Sequence, residues 1–169
     1  MADSKYNERF RECRAALKSL QKELDAAHLC DIDTRIFASY RYLVNDAVLE
    51  KRALHVISEN ERVKEAKEVL SAGDLKRFGE LMYASHDSLK ELYEVSGKEL
   101  DTIVEFCKTY TGCIGARMTG AGFGGCAIAL VKKDKFDDFS QQLTAYYKNK
   151  IGYEPGVFAS ATGDGVRNL

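Results

Sequence analysis

Between Gly120 and Gly125 four glycines fall within six residues, Gly120-Ala121-Gly122-Phe123-Gly124-Gly125. Such a run reaches positive φ without steric cost and exposes successive backbone N–H groups, so it can wrap a phosphate or let another backbone come close. It can equally be a tight turn covered by a neighbouring helix or domain. The literal match to G-x-G-x-x-G fails as a dinucleotide site, because that site needs a strand before the glycines and a helix after them. Here the loop runs into Cys126-Ala127-Ile128-Ala129-Leu130-Val131, a β-type run. Strand, loop and strand come closer to the glycine flap of protein kinases, yet no H-R-D or D-F-G segment is present. Arg117 is the sole formally charged side chain from Thr109 to Val131. It is a candidate anion contact, with an outward-facing strand residue or a structural ion pair as the alternatives.

The other reactive side chains form no obvious constellation. His55 and His86 would need a partner within hydrogen-bond reach to act as bases, and nothing nearby in the sequence supplies one. His86 sits beside Ser85 and Met82 on the buried side of its helical wheel, which suits a satisfied interior histidine. His28 lies near an expected helix end, where its charge would favour the helix dipole. Glu59, Glu61 and Arg62 can pair along one helix on a solvated face. Cys13, Cys30, Cys107, Cys113 and Cys126 are odd in number and contain no C-x-x-C pair, so reduced thiols in a cytoplasmic protein are expected rather than a disulfide framework or a zinc site.

These residues must be positioned by what reads as an α+β chain. Phe10, Cys13, Leu17, Leu20 and Leu24 step by three or four and predict one helix from about Tyr6 to Ala27. Helices are expected near Thr34 to Leu43, from Asp46 through Leu70, and after Asp74 as N-cap, with Leu75, Phe78, Leu81, Met82, Ser85, Leu89 and Leu92 on the buried face. Ser96 with Glu99 has the form of a capping box for the next helix. The character then changes: six of the 13 glycines lie between Thr109 and Val131. Cys113 to Thr119 and Cys126 to Val131 are expected strands, the second buried on both faces. Asp134 should cap a further helix, and Gly156 to Ala161 a last strand that inserts between or flanks the first two. Helices would pack on one face of a small, mostly antiparallel sheet.

Composition sets outer limits. The 169 residues suit a single domain, and 45% hydrophobic residues with one proline exclude disorder. With 25 basic against 26 acidic side chains, there is no electrostatic footprint for nucleic acid or an anionic membrane. No apolar run is long enough to span a bilayer.

The segment Arg117 to Val131, RMTGAGFGGCAIALV, resembles the third motif of the GHMP small-molecule kinases in the form carried by galactokinases. The likeness extends through SKYNERFREC (Ser4 to Cys13), RALHVISENERV (Arg52 to Val63) and the stretch from Gly73 to Glu105, in the family's order, and to the closing TGDGVRNL. It implies that residues 1–169 are the C-terminal half of a galactokinase, whose parent would transfer the γ-phosphoryl group of ATP to the C1 hydroxyl of galactose with Mg²⁺. Tyr6 matches the family's sugar-contacting tyrosine; otherwise it simply begins the helical stripe. Thr119, Gly120, Ala121, Gly122, Phe123, Gly124 and Gly125 match the motif that lines the cleft. The main phosphate loop, the galactokinase signature and the sugar-activating Asp and Arg of the family have no counterpart here. The isolated chain is therefore expected to be inactive, to bind no cofactor tightly, and to self-associate through an exposed interdomain face. A stand-alone sugar-sensing or protein-interaction module is the alternative.

Overall fold

Three aspartates set helix starts by side-chain capping. Asp33 accepts from the Ile36 amide, Asp46 from those of Val48 and Leu49, and Asp74 from that of Arg77, each satisfying donors that the first turn leaves open. The computed structural model describes residues 2–161 and 163. Its elements are α1 (Ala2–Leu20), α2 (Thr34–Tyr40), α3 (Ala47–Ser71), α4 (Leu75–Ser88), α5 (Lys98–Thr109), β1 (Cys113–Thr119), β2 (Cys126–Val131) and α6 (Phe136–Ile151). Most of the closing TGDGVRNL lies outside the described residues.

One core cluster is built around helices. Ala16 and Leu20 of α1 meet Phe37 of α2 and Ala53 and Ile57 of α3. A second joins Val104, Phe106 and Cys107 of α5 to Ala116 of β1 and to Phe139 and Leu143 of α6. Met118 links β1 to Leu89, Val95 and Leu100 in a third. The strands pair antiparallel, from Cys113 opposite Val131 to Thr119 opposite Cys126, with a bulge between Cys113 and Gly115. This is an α+β fold with a two-stranded sheet.

The free edge of β1 is covered by α4 rather than by a further strand. A Cβ on Gly79 would lie 1.9 Å from the Ile114 carbonyl oxygen, and one on Gly115 would lie 2.4 Å from the Gly79 Cα. Helix backbone therefore touches strand backbone. Further along, His86 Nδ1 accepts from the Met118 amide at 3.2 Å. A helix laid on an edge in this way removes the template for unwanted strand addition.

Several local expectations are corrected. The first helix stops at Leu20, and Phe10 is 55% exposed because the buried stripe runs through Arg9, Cys13, Ala16 and Leu20 instead. His28 lies beyond that helix as N-cap of the 3₁₀ turn Leu29–Asp31, its amide donating to Asp31 Oδ2 at 2.7 Å, so the helix-dipole role does not arise. The expected capping box fails: α5 starts one residue late, with Gly97 as N-cap in extended conformation and no side-chain cap. Asp134 sits inside the 3₁₀ turn Lys133–Lys135, and α6 begins after it without a side-chain cap. Residues Gly156 to Ala161 form no strand, because only half-buried Val157 reaches the core while Phe158 is 87% exposed. Without that strand β2 is not buried on both faces: Ile128 is 50% exposed, and Cys126 and Ala129 are exposed too.

The contact between Gly79 and Ile114 yields a stability test. Gly79→Ala must part α4 from β1 and should cost about 3 kcal/mol in urea unfolding. Gly73→Ala, at φ +73° but with open space around it, should cost only about 1 kcal/mol.

Candidate active-site elements

The glycine loop is shaped by backbone conformation. Gly120, Gly122 and Gly124 have φ of 77°, 82° and 92°, and Phe123 between them has φ 56°. The loop does not stand free. The Phe123 amide donates to the Val95 carbonyl at 2.8 Å, and a Cβ on Gly122 would lie 2.0 Å from that same oxygen. Only glycine gives both the conformation and the approach at position 122. The Phe123 N–H is thus turned inward, where it cannot serve a ligand. Gly120, Ala121, Phe123, Gly124 and Gly125 remain exposed, and Thr119 and Gly122 half-buried.

The partner segment follows a π-turn, Leu89–Tyr93, that prolongs α4. Glu94 then takes a left-handed conformation at φ 56°. Among the described residues Glu94 and Phe123 are the two non-glycine residues with positive φ. Phe123 donates the hydrogen bond and Glu94 directly precedes its acceptor, and conformations of this kind persist only where the surroundings over-determine them.

That determination comes from two buried arginines. Arg52, 2% exposed, donates to Glu12 Oε2 and Glu94 Oε2 at 2.8 Å each and to the Leu92 carbonyl. Arg9, 5% exposed, donates to the Tyr93 carbonyl at 2.6 Å, the Glu94 carbonyl at 3.3 Å and Glu12 Oε2 at 2.9 Å. Burial works against the Arg52 charge, but Glu94 and Glu12 outweigh it and push its pKa up. The hydrogen bond from Arg52 in turn holds the Glu94 carboxyl below the ordinary carboxylate range. Tyr93 is fixed by its ring, stacked on His55 at 4.4 Å.

Tyr6 projects from α1 one turn before Arg9 and is 63% exposed. Its helix and the glycine loop therefore meet the same short turn, one through Arg9 and the other through Val95. Arg117 lies apart from them. Its Nη1 faces Glu59 Oε1 at 3.3 Å, and its Nε donates to the Met118 carbonyl at 3.1 Å. Of the readings open to it, the ion pair is the arrangement found. Glu59 is no solvated side chain either: it also takes Arg62 Nε at 2.8 Å and the Ser85 hydroxyl. Burial raises its pKa, yet Ser85, Arg62 and Arg117 more than offset that and hold it low. Glu61 likewise turns inward, accepting from the Thr34 amide at 2.9 Å. Glu59, Arg62 and Arg117 border a shallow groove of about 180 Å³ with Phe78, Met82 and Ile128. A larger cleft of about 450 Å³, around Gly112, Lys132 and Asp138, lies at the opposite end of the strands and takes no part in this assembly.

Both interior histidines are hydrogen-bonded. His86 Nδ1 holds the Met118 amide and so carries no proton; its Nε2 faces Asp101 Oδ1 at 3.2 Å. Burial lowers its pKa, with Asp101 opposing. His55 Nδ1 meets Ser88 Oγ at 2.8 Å, and burial pushes its pKa down to about 4.

Arg9, Glu12, Arg52 and Glu94 escaped sequence reasoning. One signal was available: Arg9 stands four residues before Cys13, inside the apolar stripe where a charge needs a reason. Nothing local pointed to Glu94.

This hairpin loop, docked on a helical layer, defines a class. Residues 63–149, just over half of the chain, match the family described as "GHMP kinases C terminal", and the chain belongs to that family. It is similar to the galactokinase of Staphylococcus carnosus, 53% identical over the whole chain and 44% of that protein, and to that of Clostridium tetani, 52% identical over the whole chain and 43% of that protein. A crystal structure of Lactococcus lactis galactokinase complexed with galactose superposes with a TM-score of 0.88 at 49% identity, over 89% of this chain and 39% of that one. The chain spans less than half the length of these curated relatives.

The histidines predict a pH response. An unfolded chain protonates His55 near pH 6.5, whereas the folded chain resists until about 4. Stability is therefore full above pH 6.5 and falls as pH drops through that window, by about 2 kcal/mol at pH 5 from His55. Urea midpoints between pH 7 and 5 should show this fall, and His55→Gln should flatten it.

Proposed function

We propose that this chain is the C-terminal half of a galactokinase, whose whole protein transfers the γ-phosphoryl group of ATP to the C1 hydroxyl of galactose. The observation that carries this reading is about 50% identity with galactokinases along all 169 residues. In it, Tyr6 offers an apolar ring face to the sugar's C–H side and a hydroxyl to its oxygens. Thr119 to Gly125 line the cleft from this side and shape the space beside the phosphates. Phosphoryl transfer relies on positioning and charge stabilisation rather than covalent chemistry by the protein. A loop locked to a helical layer suits that task.

Mg²⁺ supplies charge neutralisation on the phosphates in such enzymes. Among the described residues no group of three or more His, Cys, Asp or Glu side chains could hold a metal ion. In this reading the metal and the main phosphate contacts belong to the rest of the protein. Arg117, engaged by Glu59, acts through the strand that leads into the loop. The exposed apolar side chains of Ile128, Phe123 and Val63 are covered by that other half, and mediate self-association of the chain when alone. Cysteines without disulfide partners and no helix long and apolar enough to cross a membrane, among the described residues, suit a cytoplasmic protein.

The test joins this chain to the part of the Staphylococcus carnosus galactokinase that it does not match. The chimera should phosphorylate galactose with ATP, and the 169-residue chain alone should not. Robust galactose-dependent ATP turnover by the chain alone would refute its being half of the machinery; a folded chimera inert toward galactose would refute the substrate. Gly122→Ala in the chimera should lower kcat/KM about a hundredfold by displacing the loop.

A further inference from the structure

The turn from Leu92 to Val95 is gripped from both sides. On one side Arg9 and Arg52 take the carbonyls of three successive residues, Leu92, Tyr93 and Glu94, while sharing the Glu12 carboxylate. On the other, the next carbonyl, that of Val95, takes the Phe123 amide at 2.8 Å. Arg9 stands three residues after Tyr6 on the same helix, so a displacement of this turn must move the loop, the helix or both. Planar guanidinium groups can serve three acceptors at fixed angles, which an ammonium cannot. The arginines are too enclosed to meet a ligand themselves.

Resting on the galactokinase reading, we propose that Arg9 and Arg52 are positioning residues. They fix the helix that carries Tyr6 and the glycine loop to one another through the 92–95 turn, so that the sugar contact and the loop are set as a unit. Neither residue touches substrate in this assignment, and each acts through the backbone it holds.

Two measurements test it. In the 169-residue chain, Arg9→Lys keeps the charge beside Glu12 but cannot bridge the Tyr93 and Glu94 carbonyls together. Its Phe123 amide should exchange hydrogen about tenfold faster than in the parent chain, while the Met118 amide, held by His86, is unchanged. In the chimera, the same substitution should raise the galactose KM about tenfold and lower kcat as well, at an unchanged folded fraction. Unaltered Phe123 exchange in a folded variant would overturn the proposal, as would a loss of kcat that merely follows lost folded protein with the galactose KM intact. Should Arg9→Lys not fold, Glu12→Gln loosens both arginines and carries the same two readouts. If the unsubstituted chimera fails on galactose, the galactokinase reading falls, and the exchange measurement still decides whether the arginines set the loop.

Discussion

Two guanidinium groups removed from water, each surrounded by carbonyl and carboxylate oxygens, are the constraint on which the rest of this domain depends. Arg9 and Arg52 join α1 and α3 to the end of α4 by satisfying backbone acceptors that a terminating helix leaves open. Burying such charges is costly unless every donor finds a partner, and removal of one member leaves the others exposed to the full penalty. The cluster is accordingly held by mutual support. Its product is a fixed Val95 carbonyl, and the glycine loop is moored to that oxygen.

The same logic of backbone meeting backbone governs the sheet. With two strands, β1 would present one open edge, and the chain closes it by laying α4 along it at Gly79 and His86. The strand leading into the loop is therefore held on one side by β2 and on the other by a helix. Arg117 and Met118 bring the polar cluster around Glu59 and the imidazole of His86 to its last residues. The loop has firm foundations at both ends, though five of its six residues are exposed.

Much of this was legible in the residues. The starts of α3 and α4 were located almost to the residue, because Asp46 and Asp74 are strong caps, and in α4 a clear apolar stripe follows. The glycine run announced an unusual loop between strands. What failed did so for tertiary reasons. The apolar run of β2 reads as buried because periodicity reports hydrophobicity and not what covers it, and Ile128 stands open where no further layer exists among the described residues. Gly156 to Ala161 has β-type composition but no partner edge. Ser96 and Glu99 have the form of a cap, yet the N-cap falls one residue later, at Gly97. Glu59 looked like one more surface charge, and became half-buried through Ser85 and Arg117, which lie 26 and 58 residues away in sequence.

The π-turn that ends α4 adds a consequence of its own. Each residue of an α-helix advances the chain by about 100° around the axis, and a π-turn accommodates one residue more per turn than the α-form. Everything beyond Tyr93 is phased by that extra residue. Were the same residues to settle into an ideal α-helix, the hydrogen bonds would be better, yet the carbonyl that moors the loop would point about a quarter of a turn away. A less regular helix is thus the one compatible with the loop, and the extra residue it absorbs sets the direction of everything that follows.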